Sequence, residues 1–222
     1  RKIAGKSSLS QDEILRELFK DAPDAESWQV DLPSKGKFYT DFRGVSVNPL
    51  TYQDEERILS SKGQGTDLIN LLVEACVTGV KISEVLPMDK LYLLMKIREI
   101  SYGSDYKFSV GCPACSTEIK TSLDLGNHFI IKEVPEDLED PREVNLPKLG
   151  VVAKVRFPRT QDESYLSDSK VMIKNLYRFI ESLGEHSDPL LISKAIKMMH
   201  IQDIKKIIKE IHKDEYGIDP RF

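Results

Sequence analysis

The stretch Asp105-Tyr106-Lys107-Phe108-Ser109-Val110-Gly111-Cys112-Pro113-Ala114-Cys115-Ser116-Thr117-Glu118-Ile119-Lys120-Thr121-Ser122-Leu123 decides how the chain is read. Asp105 to Val110 leads in as a strand, and Ser116 to Leu123 leads out with polar/apolar alternation. Strand, CPxC, strand is how one half of a zinc-ribbon site is built, because two cysteines on a tight turn can aim both sulfurs at one tetrahedral metal. A complete site needs two further ligands, and the sequence holds no second CxxC. Cys112 and Cys115 are thus candidate ligands of a half-site for a structural zinc. A plain hairpin turn without metal is the alternative. A redox CxxC opens a helix, whose N-terminus lowers the thiolate pKa, and the alternation after Ser116 argues against that.

Outward from this stretch, the 222 residues suffice for one generous domain or two small ones. With 36 acidic against 32 basic residues the net charge is -4, which disfavours nucleic-acid binding. No apolar run approaches the roughly 20 residues of a membrane span. The start, Arg1-Lys2-Ile3-Ala4, is basic with no apolar stretch behind it, so no signal peptide is expected. It also lacks methionine, which fits processing or a longer polypeptide. Three cysteines do not make a disulfide framework, and Cys76, within Leu71-Leu72-Val73-Glu74-Ala75-Cys76-Val77, reads as a buried, inert thiol.

The predicted fold class is α+β, with helical N- and C-terminal parts flanking a small central antiparallel β region that carries the CPxC knuckle. Residues 1–30 read as a polar leader with a short helix behind the capping box Ser10-Gln11-Asp12-Glu13, ended by Asp21-Ala22-Pro23-Asp24. Residues 31–104 read as mainly helical. They include an extended arm, Leu32-Pro33-Ser34-Lys35-Gly36-Lys37-Phe38-Tyr39, a strand at Gly44 to Leu50, and helices from Thr51, from about Thr66 to Thr78, and from Pro87. Residues 105–158 are the β region, with strands at Phe129-Ile131, Val144-Pro147 and Val151-Phe157, the last two joined over Gly150. The acidic run Glu133 to Pro141 reads as a solvated loop or an acidic docking surface. Residues 159–222 form the C-terminal helical part. It has a capping box at Thr160-Gln161-Asp162-Glu163, helical spacing from Leu166 to Ile180, Asp188-Pro189 starting a helix, and a last amphipathic helix ended by Tyr216-Gly217. That helix sets Ile201, Ile204, Ile207, Ile208 and Ile211 against Lys205, Lys206, Lys209 and Lys213, a basic face suited to solvent or to a partner.

No catalytic constellation is legible: there is no GxSxG, P-loop, Rossmann or HExxH pattern, so no enzyme is expected. Gly63-Gln64-Gly65 reads as a turn, and His128, thirteen positions beyond Cys115, reads as a loop histidine, a third zinc ligand being the alternative. In the arm, Leu32, Pro33, Phe38 and Tyr39 are candidate partner-binding anchors on a rigid Pro/Gly frame, the alternative being an arm folded against its own domain.

Taken in order, these features resemble the baseplate hub proteins of T-even-type contractile-tailed phages. The residues that carry the resemblance are Leu32-Pro33-Ser34-Lys35-Gly36 with Phe38-Tyr39, Pro49-Leu50-Thr51 with Glu55-Glu56 and Ile58-Leu59, and Ser101-Tyr102-Gly103 with Tyr106. The Cys112 to Cys115 knuckle and Tyr216-Gly217-Ile218-Asp219 complete it, so it spans about residues 30 to 222. Some members of that family carry a second CPxC shortly after the GID segment, which the sequence to Phe222 does not show. The resemblance implies a structural component of the virion tail baseplate, assembled in the host cytoplasm, whose partners are other baseplate and hub proteins. An assembly factor or chaperone absent from the mature particle is the alternative, and a zinc-ribbon nucleic-acid adaptor is a third reading.

Overall fold

The structure is a computed structural model, and it describes residues 10–20, 27–63, 65–127, 129–213 and 215–219. The predicted turn at Gln64, the helix stop at residues 21–24 and the candidate ligand His128 fall wholly or partly outside the described residues. The fold is α+β, with small antiparallel sheets among short helices.

In the N-terminal part, α1 (Gln11–Leu18) starts on the expected box, with Ser10 and Glu13 capping each other. β1 (Trp28–Val30), β2 (Val45–Val47) and, after α2 (Tyr52–Ser60) and α3 (Thr66–Cys76), β3 (Val77–Thr78) form one sheet in the order β1-β2-β3. The helix expected to reach Thr78 stops at Cys76, because β-branched Val77 and Thr78 pair with Val47 and Ser46. α4 (Pro87–Tyr102) opens with Pro87 in its first turn. Leu32, Val45, Val47, Val73, Cys76, Leu93 and Ile97 make the first core. Burial pushes the Cys76 thiol up to about 11, in keeping with an inert thiol.

After α4 the chain makes a ribbon, β4 (Asp105–Gly111) and β5 (Glu118–Asp124), then the short β6 (Ile131–Lys132). β7 (Arg142–Leu146) and β8 (Val151–Val155) pair as expected across Gly150, which has a positive φ of 77°. The span 105–158 is thus divided: the ribbon is its own two-stranded sheet, while β7 and β8 join the C-terminal part.

There, α5 (Glu163–Leu166) and α6 (Ser169–Asn175) precede a 3-10 turn at Leu176–Phe179 and β9 (Ile180–Leu183), which adds to β8. The helical spacing of Leu176, Phe179 and Ile180 therefore marks burial rather than one continuous helix. Thr160 is not the expected cap: it is buried, and its hydroxyl donates to Val85 O at 3.0 Å. α7 (Pro189–Met198) is capped by Asp188, and α8 (Ile201–Ile211) lays Ile204, Ile207 and Ile211 on Val144, Leu146 and Val155 with its lysines in solvent. Buried Asp203 in the first turn of α8 accepts the N–H groups of Lys148 (3.3 Å) and Leu149 (2.8 Å), fixing the β7–β8 turn. Tyr216-Gly217 does more than follow a helix: β10 (Gly217–Ile218) pairs with β6.

A third cluster joins the two parts: Leu86, Leu138, Phe157 and Tyr216, with Phe38, Tyr39, Met88 and Val134 against them. Buried Lys90 reinforces it from α4, donating to Asn70 and to Glu163 Oε1 at 2.6 Å. A buried lysine tolerates its charge only when paired this way.

Candidate functional site

The arm Leu32 to Tyr39 lies against its own chain. Leu32 is 2% exposed in the first core, Pro33 is buried, and the Phe38 ring packs tilted on Phe157, 4.9 Å between centroids, across the joining cluster. The Ser34 N–H and the Tyr39 hydroxyl both donate to buried Asp89, at 3.0 and 2.6 Å. Lys35 pairs with Glu133 at 2.7 Å and Lys37 donates to the Pro135 and Glu136 carbonyls. The arm thus meets the chain's own acidic loop, in which Leu138 is buried and Asp140 binds Arg159 at 2.7 Å. The apolar surface of Leu32 and Pro33 is spent inside the molecule, whereas Lys35 and Lys37 face solvent.

The ribbon is arranged differently. Tyr106, Phe108 and Val110 stand opposite Leu123, Thr121 and Ile119, so one face is apolar. The other face carries Asp105, Lys107, Ser109, Glu118, Lys120, Ser122 and Asp124. Ile119 is 49% exposed, and Tyr106 and Val110 are also exposed. Arg98 of α4 ties down the base, its guanidinium 5.6 Å from the Tyr106 ring centroid.

Cys112-Pro113-Ala114-Cys115 turns the ribbon at its tip. Cys112 N–H donates to Thr117 O at 2.9 Å, Ser116 N–H donates to Cys112 O at 2.8 Å, and Ser116 takes a positive φ of 56°. Cys115 is exposed with its Sγ 3.2 Å from Thr117 Oγ1. The Thr117 hydroxyl, then the Thr117 N–H and the Cys112 thiol, hold the Cys115 thiol below its ordinary range by hydrogen bonding. The turn sets Cys115 at an open tip, and these hydrogen bonds favour its thiolate. Among the described residues no three His, Cys, Asp or Glu side chains converge on a metal-sized site.

A second exposed apolar surface is the face of α1 that helical spacing assigns to Ile14, Leu15, Leu18 and Phe19. All of α1 is exposed, with Leu18 at 71% and the adjoining Phe19 at 69%. The amphipathic spacing of Ile14, Leu15, Leu18 and Phe19 was legible, but whether that face is covered is not a local property.

Several other chemistry-bearing groups serve the structure. Asp162 takes a two-pronged ion pair from Arg156 at 2.7 and 2.9 Å. His200 caps α8, and His212 contacts Met172 Sδ at 3.2 Å. A cavity of about 380 Å³ beside Tyr39 and Arg159, and one of about 630 Å³ beside Trp28 and Tyr92, have neither a cysteine nor a histidine in their walls. No helix among the described residues is long and apolar enough to cross a membrane.

The protein family described as T4 bacteriophage base plate protein matches residues 26–219. No curated protein and no solved structure matches the chain. The match takes in the arm, the ribbon and its cysteine tip, both cores and the closing β10 strand. The chain belongs to the T4 bacteriophage base plate protein family, and so to the phage tail baseplate.

Proposed function

We propose that this protein is a component of the baseplate hub, built into the contractile tail and acting through protein–protein contacts without catalysis or nucleic-acid binding. One observation carries the reading: α1 and the β4–β5 ribbon present exposed apolar side chains, Leu18 and Phe19 on the one and Tyr106, Val110 and Ile119 on the other. Exposed contiguous apolar surface marks interaction sites. An eight-residue helix and a lone two-stranded ribbon are both marginal in water by themselves, so a neighbouring baseplate protein has stability to add. The acidic balance supports protein partners over phosphate backbones.

Quantitative mass spectrometry of purified, intact phage particles tests this. Peptides of this chain at a fixed ratio to other baseplate proteins are expected. Absence from particles, with presence in infected-cell lysate, overturns the built-in role and makes the protein an assembly factor working in the host cytoplasm.

A further inference from the structure

We propose, resting on the hub reading for the presence of a neighbour, that the corner between α7 and α8 docks an acidic protein surface. The partner is a second baseplate protein that sets apolar side chains, ringed by aspartate or glutamate, on Leu149, Met198 and Ile201.

A two-residue connection builds the corner. α7 ends at Met198 and α8 starts at Ile201, with His200 between them accepting the Gln202 N–H at 3.2 Å. Ile192, Ile204, Ile207 and Ile211 turn inward to the C-terminal core. Met198 is 88% and Ile201 59% exposed, and neither joins that core. Buried Asp203, in the first turn of α8, draws in the β7–β8 turn by accepting the Lys148 and Leu149 N–H groups. Exposed Leu149 is thereby held beside the same helix start.

The charge around these side chains is one-sided. From Pro189 to Lys209 the sequence carries five lysines and one acid, Asp203, in a chain whose net charge is -4. That acid is buried and engaged by the turn, so the exposed rim is cationic. Lys148, Lys197 and Lys205 are exposed, and none of them forms an ion pair among the described residues. A merely solvated helix face is polar throughout. Here apolar side chains stand inside a charged rim, which is the anatomy of a protein interface. Unpaired cations at its edge favour acidic partners and penalise basic ones. Phosphate ligands match the lysines but leave Met198 and Ile201 unused. Leu190 lies outside the corner, about 12 Å back along α7.

Intact phage particles and infected-cell lysate are each treated with a water-soluble carbodiimide, which joins a lysine amine to a carboxylate where the two touch. Mass spectrometry then reads the joined peptides. Lys197 or Lys205 is expected to be joined to an Asp or Glu of a second baseplate protein. On the phage, Lys197→Glu with Lys205→Glu loses this chain from particles, and so does Met198→Ser with Ile201→Ser. Lys197→Arg with Lys205→Arg keeps the charge, loses the cross-link and retains incorporation, as does Leu190→Asp with its cross-link intact. Melting of the purified chain stays unchanged in all four, since every position is exposed. Cross-links present in lysate while the chain is absent from particles uphold the docking surface and overturn only the built-in role. A chain that sits in particles without these cross-links, and enters them normally as the glutamate variant, overturns the docking surface and leaves the built-in role standing. Binding of the purified chain to duplex DNA or to anionic phospholipid vesicles, abolished by Lys197→Glu with Lys205→Glu, overturns it in favour of a phosphate ligand.

Discussion

The Tyr39 hydroxyl donates to Asp89 Oδ2 at 2.6 Å and accepts the Leu86 N–H at 3.0 Å, so one phenol locks the arm onto the start of α4. Around this pair, Ser34 N–H binds the other carboxylate oxygen, and Arg159 reaches in to donate to Phe38 O at 3.2 Å and to Asp140 at 2.7 Å. The joint between the N- and C-terminal parts is therefore a buried polar network set inside an apolar cluster.

Tyr39→Phe keeps the ring and removes both hydrogen bonds. Bonds to a charged group are worth about 1.5–3 kcal/mol, so the melting temperature should fall by roughly 3–12 °C for a chain of this size. Adding Phe38→Ala removes the ring packed on Phe157 and should lower it further. Calorimetry checks both. Unchanged melting in the double variant, together with lost binding to a baseplate partner, would return the arm to a docking role.

Asp89 also sets a pH dependence. Burial raises its carboxyl above the ordinary 3.8, although hydrogen bonds from Ser34 and Tyr39 and the charge of Arg159 oppose the rise. The folded state thus keeps a proton that the unfolded chain has already released. The stability this group contributes is full below about 3.8 and is lost as pH rises through the raised value. Asn at this position does not titrate. The melting temperature of Asp89→Asn minus that of the parent should therefore increase as pH rises from about 4. A difference that is flat with pH, followed by thermal melts across the range, contradicts the assignment.

Much of this was legible in the sequence where the signal is local. The Ser10 box, the helix start at Thr51, Asp188-Pro189, the β7–β8 turn at Gly150 and the isoleucine face of α8 all sit where capping, turn and periodicity rules put them. The failures are non-local. Ile180 to Leu183 becomes a strand because β8 offers it a ladder 25 or more residues earlier in the chain, which outweighs a helical spacing that burial satisfies equally well. Thr160 forgoes its cap for the Val85 carbonyl, 75 positions away.

Gly217 shows the same dependence on distant contacts. Its φ is +105°, and a Cβ there would lie 2.9 Å from Met88 Cβ, on α4. Gly217→Ala should cost about 1–3 kcal/mol through backbone strain and the forced shift of Met88. Gly111→Ala, in the ribbon with open space around it, should stay within about 0.5 kcal/mol of the parent. Denaturant unfolding of the pair measures this, and equal midpoints would show that β10 does not close the fold.

The exposed face of α1 separates an assembly role from a folding role. Leu18 and Phe19 contribute little to the chain's own cores, so Leu18→Asp with Phe19→Asp should leave the melting temperature of the body unchanged, as surface changes usually do. Charge at the centre of an apolar contact is costly because it must be desolvated without a partner. A phage carrying the double substitution should therefore form plaques at strongly reduced titre, with this chain depleted from its particles by mass spectrometry. Leu190 of α7, equally exposed and on a separate helix, provides the control: Leu190→Asp should leave titre unchanged. Normal titre in the α1 variant removes that helix from the contact surface. Melting that falls in step with titre instead means that α1 packs on its own chain, leaving the ribbon as the remaining apolar face for assembly.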